Sequence, residues 1–240
     1  MKYSVENNFN IPSIILAGGL GTRLKKISNG RPKSLMPLGK RVFIDFLIER
    51  LIKNKVNQIF ISLQYKSELF IEHINKMDYG IDVVPIIEPK PLGTGGAISF
   101  VLRNTEIDSP FFVINGDTLS NIVLEEMYNK FKNSHFEGMI GLSLINNASR
   151  YGTIKEKNNI IYSLSEKSNS SRGWINNGYY IFNKELFQNQ SGRFSLELDL
   201  FPKLITKAKL GSFKVVNDRF LDIGIPSDYK KLKNFIKDKK

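Results

Sequence analysis

Three glycines, Gly18, Gly19 and Gly21, stand within four positions directly after the apolar run "SIILA" (13–17), and Arg23 follows two residues later. Bare backbone of this kind lets N–H groups approach an anion with no side chain between them. An arginine beside it can fork onto phosphate oxygens. A glycine loop alone is equally well a tight turn; Arg23 moves the reading towards phosphate. Ten residues on, "RPKSLMPLGK" (31–40) carries Lys33 between Pro32 and Pro37. The prolines hold that loop extended, and it returns a point charge towards the first loop. Two other glycine signatures fail on spacing. No Lys-Ser or Lys-Thr completes G-x-x-x-x-G-K-[ST] at the right place, and Leu24 stands where the third glycine of G-x-G-x-x-G belongs.

The elements that must position these residues alternate. "SIILA" reads as a buried strand, "FIDFLIERLIKN" (43–54) as a helix, "QIFISL" (58–63) as a strand and "SELFIEHINK" (67–76) as a helix. "DVVPII" (82–87) is a third strand; its proline argues against a strand or marks an edge. "GGAISFVLRN" (95–104) is helical and "FFVIN" (111–115) a fourth strand. This rhythm predicts a parallel sheet with helices on both faces, and ligands bind such sheets at the carboxyl ends of the strands. After about residue 140 strands dominate: 139–145, 153–157, 160–167, 173–182, 211–216 and 219–223, with "NN" (158–159) a hairpin turn. "SLELDLFPKLI" (195–205) reads as a helix. The expected fold is α/β, a Rossmann-like doubly wound mixed sheet with a smaller β-rich lobe laid over its open end. Residues 1–240 form one domain, divided into a core (11–146), a lobe (147–226) and a C-terminal helix (227–240).

Composition narrows the function. The net charge is +12, but lysine is spread along the 240 residues, whereas a nucleic-acid binder gathers it into a stripe with interleaved aromatics. The dense run "YKKLKNFIKDKK" (229–240) has the spacing of an amphipathic helix. The absence of cysteine rules out thiolate metal sites and disulfides. No apolar run approaches the ~20 residues of a membrane span, and the N-terminus lacks the apolar core of a signal peptide. Neither nucleic acid nor membrane is expected as a partner, and the expected compartment is the cytoplasm. His73 and His135 read as structural or surface residues.

Taken together, "GGLGTRL" followed by "PKSLMPLG" resembles the signature of the sugar-1-phosphate nucleotidyltransferases, the pyrophosphorylases that make NDP-sugars. The resemblance continues through "PLGTGGA" (91–97), "NGD" (115–117), "YGTI" (151–154), "EK" (166–167), "NNGYYIF" (176–182) and "DIGIPSDY" (222–229). "FSLELDLFP" and "FLDIGIPSDYKK" look especially like the short guanylyltransferases that act on D-glycero-D-manno-heptose 1-phosphate. The resemblance implies transfer of a nucleotidyl group from an NTP, with GTP favoured, to that heptose phosphate or to mannose 1-phosphate. The products are an NDP-sugar for surface polysaccharide synthesis and pyrophosphate. Two anions must meet in this reaction, so the work is charge neutralisation and alignment.

The resemblance also implies roles. Leu16, Ala17, Gly18, Gly19, Gly21, Thr22, Arg23, Lys33, Glu88, Gly93, Thr94 and Asp117 would bind the nucleotide, with Arg23 and Lys33 catalytic. Asp117 and Asp222 would hold Mg²⁺, an ion commonly bound by one or two carboxylates plus substrate phosphates. Lys167 would grip the sugar phosphate, with Glu166, Gly152, Asn177 and Gly178 lining its pocket. Ser168 departs from the usual "EKP" and loosens the loop there. If Glu88 reaches the base, its carboxylate, which only accepts hydrogen bonds, suits the paired N1–H and 2-amino donors of guanine. Other readings stay open: a uridylyl-, thymidylyl- or cytidylyltransferase, or a non-catalytic nucleotide sensor. A homodimer is left open as well.

Overall fold

The computed structural model describes residues 11–19, 28, 30–165 and 172–237. Its centre is a nine-stranded sheet. In chain order the strands are β1 (Ser13–Leu16), β4 (Gln58–Leu63), β5 (Asp82–Ile87), β6 (Phe111–Asn115), β8 (Gly138–Ile145), β9 (Thr153–Lys157), β10 (Ile160–Ser165), β11 (Gly173–Phe182) and β12 (Leu210–Val215). Across the sheet the order is β5-β4-β1-β6-β11-β8-β12-β10-β9, with β9 also touching β11. Two short ribbons stand outside it: β2 (Pro37–Leu38) with β3 (Arg41–Val42), and β7 (Thr118–Leu119) with β13 (Leu221–Asp222).

Strands β5, β4, β1 and β6 run parallel, and they read as continuous apolar runs because both faces are covered. Alternation along each strand splits the side chains between two cores. Ile15, Ile59, Ile61, Phe112 and Ile114 face helices α1 (Phe43–Lys53), α2 (Ser67–Ile74) and α4 (Leu124–Lys132). Ile14, Phe60, Phe111 and Val113 face α3 (Gly93–Arg103) and α6 (Phe201–Thr206). A single-turn α5 (Glu185–Gln188) adds Phe187 to this second core. The C-terminal helix α7 (Pro226–Lys237) seats Tyr229 and Leu232 on Met36, Leu38 and Phe43, a third small cluster. As expected from its proline, β5 is an edge strand, paired only with β4. The turn at Asn158–Asn159 has φ of 53° and 65°, the left-handed pair that a tight hairpin needs.

Several details differ from the sequence reading, which named neither helix α4 nor the short strands β2, β3 and β7. The later strands extend the same sheet instead of lying over its end, because β11 pairs antiparallel with both β6 and β8. The helix expected over 195–205 is present, but its first part, Leu196–Leu200, is wound wider than an α-helix before it continues as α6; Pro202 has no N–H to donate back into that wide turn. The strand expected over 219–223 shrinks to Leu221–Asp222.

One topological feature places the site. From β1 the chain moves outward to β4 and β5, then crosses back to β6 on the other side of β1. The strand order therefore reverses between β1 and β6, where a crevice opens at the strands' carboxyl ends.

Candidate active site

Register brings the site segments level. Leu16 on β1 is paired with Ser62 on β4 and with Asn115 on β6. The loops after these strands, 17–19, 64 and 116–117, leave the sheet together and line a cleft of about 420 Å³. Gly116 is required where β6 meets β1: a Cβ there would lie 2.8 Å from the Leu16 carbonyl oxygen, closer than real side chains approach.

Lys33 opens a single helical turn (Lys33–Leu35), entered from Pro32 in extended conformation. The turn is pinned by Ser34, whose buried hydroxyl donates to the Gly116 carbonyl at 2.5 Å. Lys33 Nζ then lies 2.6 Å from Asp117 Oδ2. Asp222 arrives from the opposite direction through the β7–β13 ribbon, in which Asp222 is paired with Thr118 and the Ile223 N–H donates to the Asp117 carbonyl at 3.0 Å. The Gly224 N–H donates to Asp222 Oδ1 at 2.7 Å. A Cβ on Gly224 would sit 2.8 Å from that oxygen and 3.5 Å from Lys33 Nζ, so bare backbone keeps the space between them open. One lysine and two carboxylates from three distant parts of the chain thus converge.

Beyond them the cleft has an acidic floor. Glu88 is 8% exposed. Its Oε1 accepts from the Ser62 hydroxyl at 2.8 Å and its Oε2 from the Leu92 N–H at 3.3 Å. Burial pushes its carboxyl above the ordinary value, opposed in part by those two hydrogen bonds. Each carboxylate oxygen has a second lone-pair direction, so the floor can still accept donors from above. A Cβ on Gly18 would come within 3.0 Å of Glu88 Oε1; the glycine loop is bare on this side to let the carboxylate in.

Hard oxygen donors from Asp117 and Asp222 suit Mg²⁺. Among the described residues no group of three or more His, Cys, Asp or Glu could hold a metal by itself. Such a pair needs phosphate oxygens from a substrate to complete the coordination; Asp117 lines the cleft, and Asp222 stands beside Lys33 at its edge.

The profile of the nucleotidyl transferase family matches residues 12–239. The chain belongs to the nucleotidyl transferase family. This transferase is 34% identical over 221 residues to a D-glycero-alpha-D-manno-heptose 1-phosphate guanylyltransferase of Aneurinibacillus thermoaerophilus, covering 91% of this chain and 95% of that protein. It is 33% identical to the enzyme of the same name from Campylobacter jejuni, covering 90% and 96%. Among solved structures, HddC from Yersinia pseudotuberculosis complexed with GMP-PN superposes with a TM-score of 0.84 at 34% identity, covering 94% of this chain and 99% of that one. A putative glucose-1-phosphate thymidylyltransferase from Bacillus anthracis, at 19% identity and TM-score 0.80, shares the fold.

Of the residues singled out in the transferase's sequence, Leu16, Ala17, Gly18, Gly19, Lys33, Glu88, Gly93, Thr94 and Asp117 line the cleft. Gly21, Thr22, Arg23, Glu166 and Lys167 lie outside the described residues. Gly152 and Gly178 occupy close backbone approaches: a Cβ would meet the Ser165 carbonyl at 2.7 Å and Thr118 Oγ1 at 2.5 Å, respectively. Asn177 is fully buried and points inward, its amide donating to Ser120 Oγ at 3.2 Å. His73 is structural as expected: its Nε2 lies 2.6 Å from Oδ1 of the buried Asp45.

Sequence reasoning missed Ser34, Gln64, Asn115 and Arg193 in the cleft wall. It also gave the glycines of "PLGTGGA" no packing role. The carbonyl of Phe194 accepts from the Gly95 and Gly96 N–H groups at 3.1 and 3.2 Å, and a Cβ on Gly95 would lie 2.1 Å from the Phe194 ring. These glycines let segment 192–195, with Arg193, dock beside the cleft. The glycines were themselves the signal, since a helix start with three glycines in its first four residues invites close packing.

Proposed function

We propose that the protein transfers GMP from GTP to a sugar 1-phosphate, D-glycero-D-manno-heptose 1-phosphate or mannose 1-phosphate, with release of pyrophosphate. The observation that carries this reading is the convergence of Lys33, Asp117 and Asp222 at the strand-order reversal, with Lys33 and Asp117 lining the same cleft as Glu88. The names of the similar proteins point to the same chemistry. A cytoplasmic setting suits a reaction that draws on GTP.

In this mechanism Glu88 accepts the N1–H and 2-amino donors of guanine, which orients the nucleotide. Lys33 and Arg23 neutralise the triphosphate. The sugar phosphate oxygen then attacks the α-phosphorus in line, and the bond to the bridging oxygen of pyrophosphate breaks. Lys33 meets the charge that develops on the α-phosphate. Lys167 and Glu166 place the sugar phosphate and its hydroxyls. Asp117 and Asp222 would hold Mg²⁺, which would supply charge neutralisation between the two anions. No protein nucleophile takes part.

The test is pyrophosphate release with Mg²⁺, a panel of NTPs and several sugar 1-phosphates. GTP with one of the two named sugars is expected to give the highest kcat/KM. Turnover with UTP, dTTP or CTP at equal efficiency would overturn the guanine assignment. Absence of turnover with every pair would overturn the enzyme reading in favour of a sensor.

A further inference from the structure

The loop between β12 and β13, residues 216–220, is exposed at Val216, Asn217 and Arg219. Asn217 has a φ of 55°, which turns the chain and sends the next side chain back inward. That side chain is Asp218. Its Oδ2 accepts from the Ser120 hydroxyl at 2.6 Å and from the Ser143 hydroxyl, and its Oδ1 accepts from the Asn121 N–H at 2.6 Å. Three donors from two other elements converge on one carboxylate, outside the residues that line the cleft.

The placement of those donors matters. Ser120 is three residues after Asp117, and Asp218 is four residues before Asp222. Between them lies only the β7–β13 ribbon, with two residues per strand. So short a ribbon does not hold its own register. A slip of one residue would turn Asp222 to the opposite face, because side chains alternate along a strand. One end of the ribbon is fixed by the Ile223 to Asp117 hydrogen bond. The other end is fixed by Asp218.

Ser120 extends the same network. Its Oγ accepts from Asn177 on β11 at 3.2 Å and from the Ile122 N–H at 3.2 Å. Asn177 adjoins Gly178, which packs against Thr118 of the ribbon. The strand expected to line the sugar pocket and the two carboxylates are therefore tied to one serine.

We infer that Asp218 is a positioning residue: by gripping Ser120, Asn121 and Ser143 it sets the register that presents Asp222 beside Asp117, and so sets the affinity of that pair for a divalent cation. This rests on the proposed reading of Asp117 and Asp222 as the metal-holding pair. A neutral amide at 218 has one acceptor oxygen in place of two and cannot serve all three donors. Loss of such a supporting contact costs on the order of 10-fold or more in metal affinity.

The experiment measures Mn²⁺ binding by electron paramagnetic resonance, with the full chain and GTP present and sugar phosphate omitted, alongside thermal melts. Asp218→Asn is expected to raise the Mn²⁺ dissociation constant about 10-fold. It should also raise the Mg²⁺ concentration for half-maximal turnover by a similar factor. Because loss of the carboxylate leaves donors unpaired and could unfold the chain, Ser143→Ala serves as the second variant. It removes one donor, orphans no hydrogen-bonding group, and is expected to weaken Mn²⁺ binding in the same direction but by less than Asp218→Asn. Asp222→Asn is the reference. If Asp222→Asn binds Mn²⁺ normally, the metal reading itself fails. If Asp222→Asn loses binding while folded Asp218→Asn and Ser143→Ala keep it, the positioning role of Asp218 is overturned and the metal reading stands.

Discussion

At the scale of single residues, Glu88 and Lys33 carry the clearest expectations. Glu88 is a buried carboxylate whose pKa is raised by desolvation. A raised folded value means the folded state binds the proton more tightly than the unfolded chain. The associated stabilisation is present below the ordinary carboxylate value and is lost as pH rises through the raised one. Glu88→Gln removes this loss: the neutral amide of the variant can accept from the Leu92 N–H and donate to a rotated Ser62 hydroxyl. Its melting temperature relative to wild type should therefore climb as pH increases through that window and level off above it. Melts from about pH 4 to about pH 8 check this. The same variant should lose discrimination between GTP and UTP by roughly 10- to 150-fold in kcat/KM, since a hydrogen bond to a charged partner is worth about 1.5–3 kcal/mol. A ratio unchanged within about twofold would mean that the base is read elsewhere. Lys33→Ala should depress kcat by about 10²-fold or more with a smaller change in KM, as expected for a preorganised group acting on developing charge. Lys167→Ala should instead raise the KM for sugar 1-phosphate. The cleft positions of Lys33 and Glu88 were legible because each is a charged type fixed at a family spacing. Ser34 and Arg193 were not, because a serine beside a proline loop and an arginine in a polar stretch have no periodic or charge signature of their own.

Among the elements, strands β1, β4, β5 and β6 and helices α1, α2 and α3 were readable to within a residue or two, since buried parallel strands announce themselves as unbroken apolar runs, whereas the two-residue strands β2, β3 and β7 are too short to carry a pattern and helix α4 was not read. The second half was less readable where two demands compete. "SLELDLFPKLI" has a helical pattern and is helical, yet Ser195 caps a wide first turn by accepting from the Glu197 and Leu198 N–H groups, and the pitch tightens to that of an α-helix only from Phe201. That turn is locked to α3 through Thr94, whose hydroxyl donates to Glu197 at 3.0 Å and accepts from the Leu196 N–H at 2.8 Å. Docking depends on the bare start of α3. Gly95→Ala would gain about 1 kcal/mol of helix propensity in isolation, but the new methyl group would overlap the Phe194 ring. Overpacking of this kind costs about 1–3 kcal/mol. The expected result is a melting temperature lower by up to about 8 °C, with a smaller loss for Gly95→Ala when it is made in a Phe194→Ala background. A single mutant as stable as wild type would show that segment 192–195 is free to move away from α3.

For the molecule as a whole, positive charge is spread over many elements, so its functional effect is general attraction of anionic substrates. The rate of substrate capture should fall moderately as salt rises, without the steep dependence of a protein bound along a nucleic acid. Stopped-flow binding of a fluorescent GTP analogue over a salt series measures this, and a steep slope would contradict it. The sheet order has a further consequence, for how the protein is made. Strand β6, "FFVIN", is flanked on one side by β1 and on the other by β11, yet about sixty residues of chain separate β6 from β11. While β11 is missing, β6 presents an unpaired apolar edge with two phenylalanines, a ready template for another chain. Folding and self-association must then compete for the same strand. Refolding from denaturant should accordingly give a yield that declines with increasing protein concentration. A yield independent of concentration would mean that β6 is covered early, by a partner other than β11.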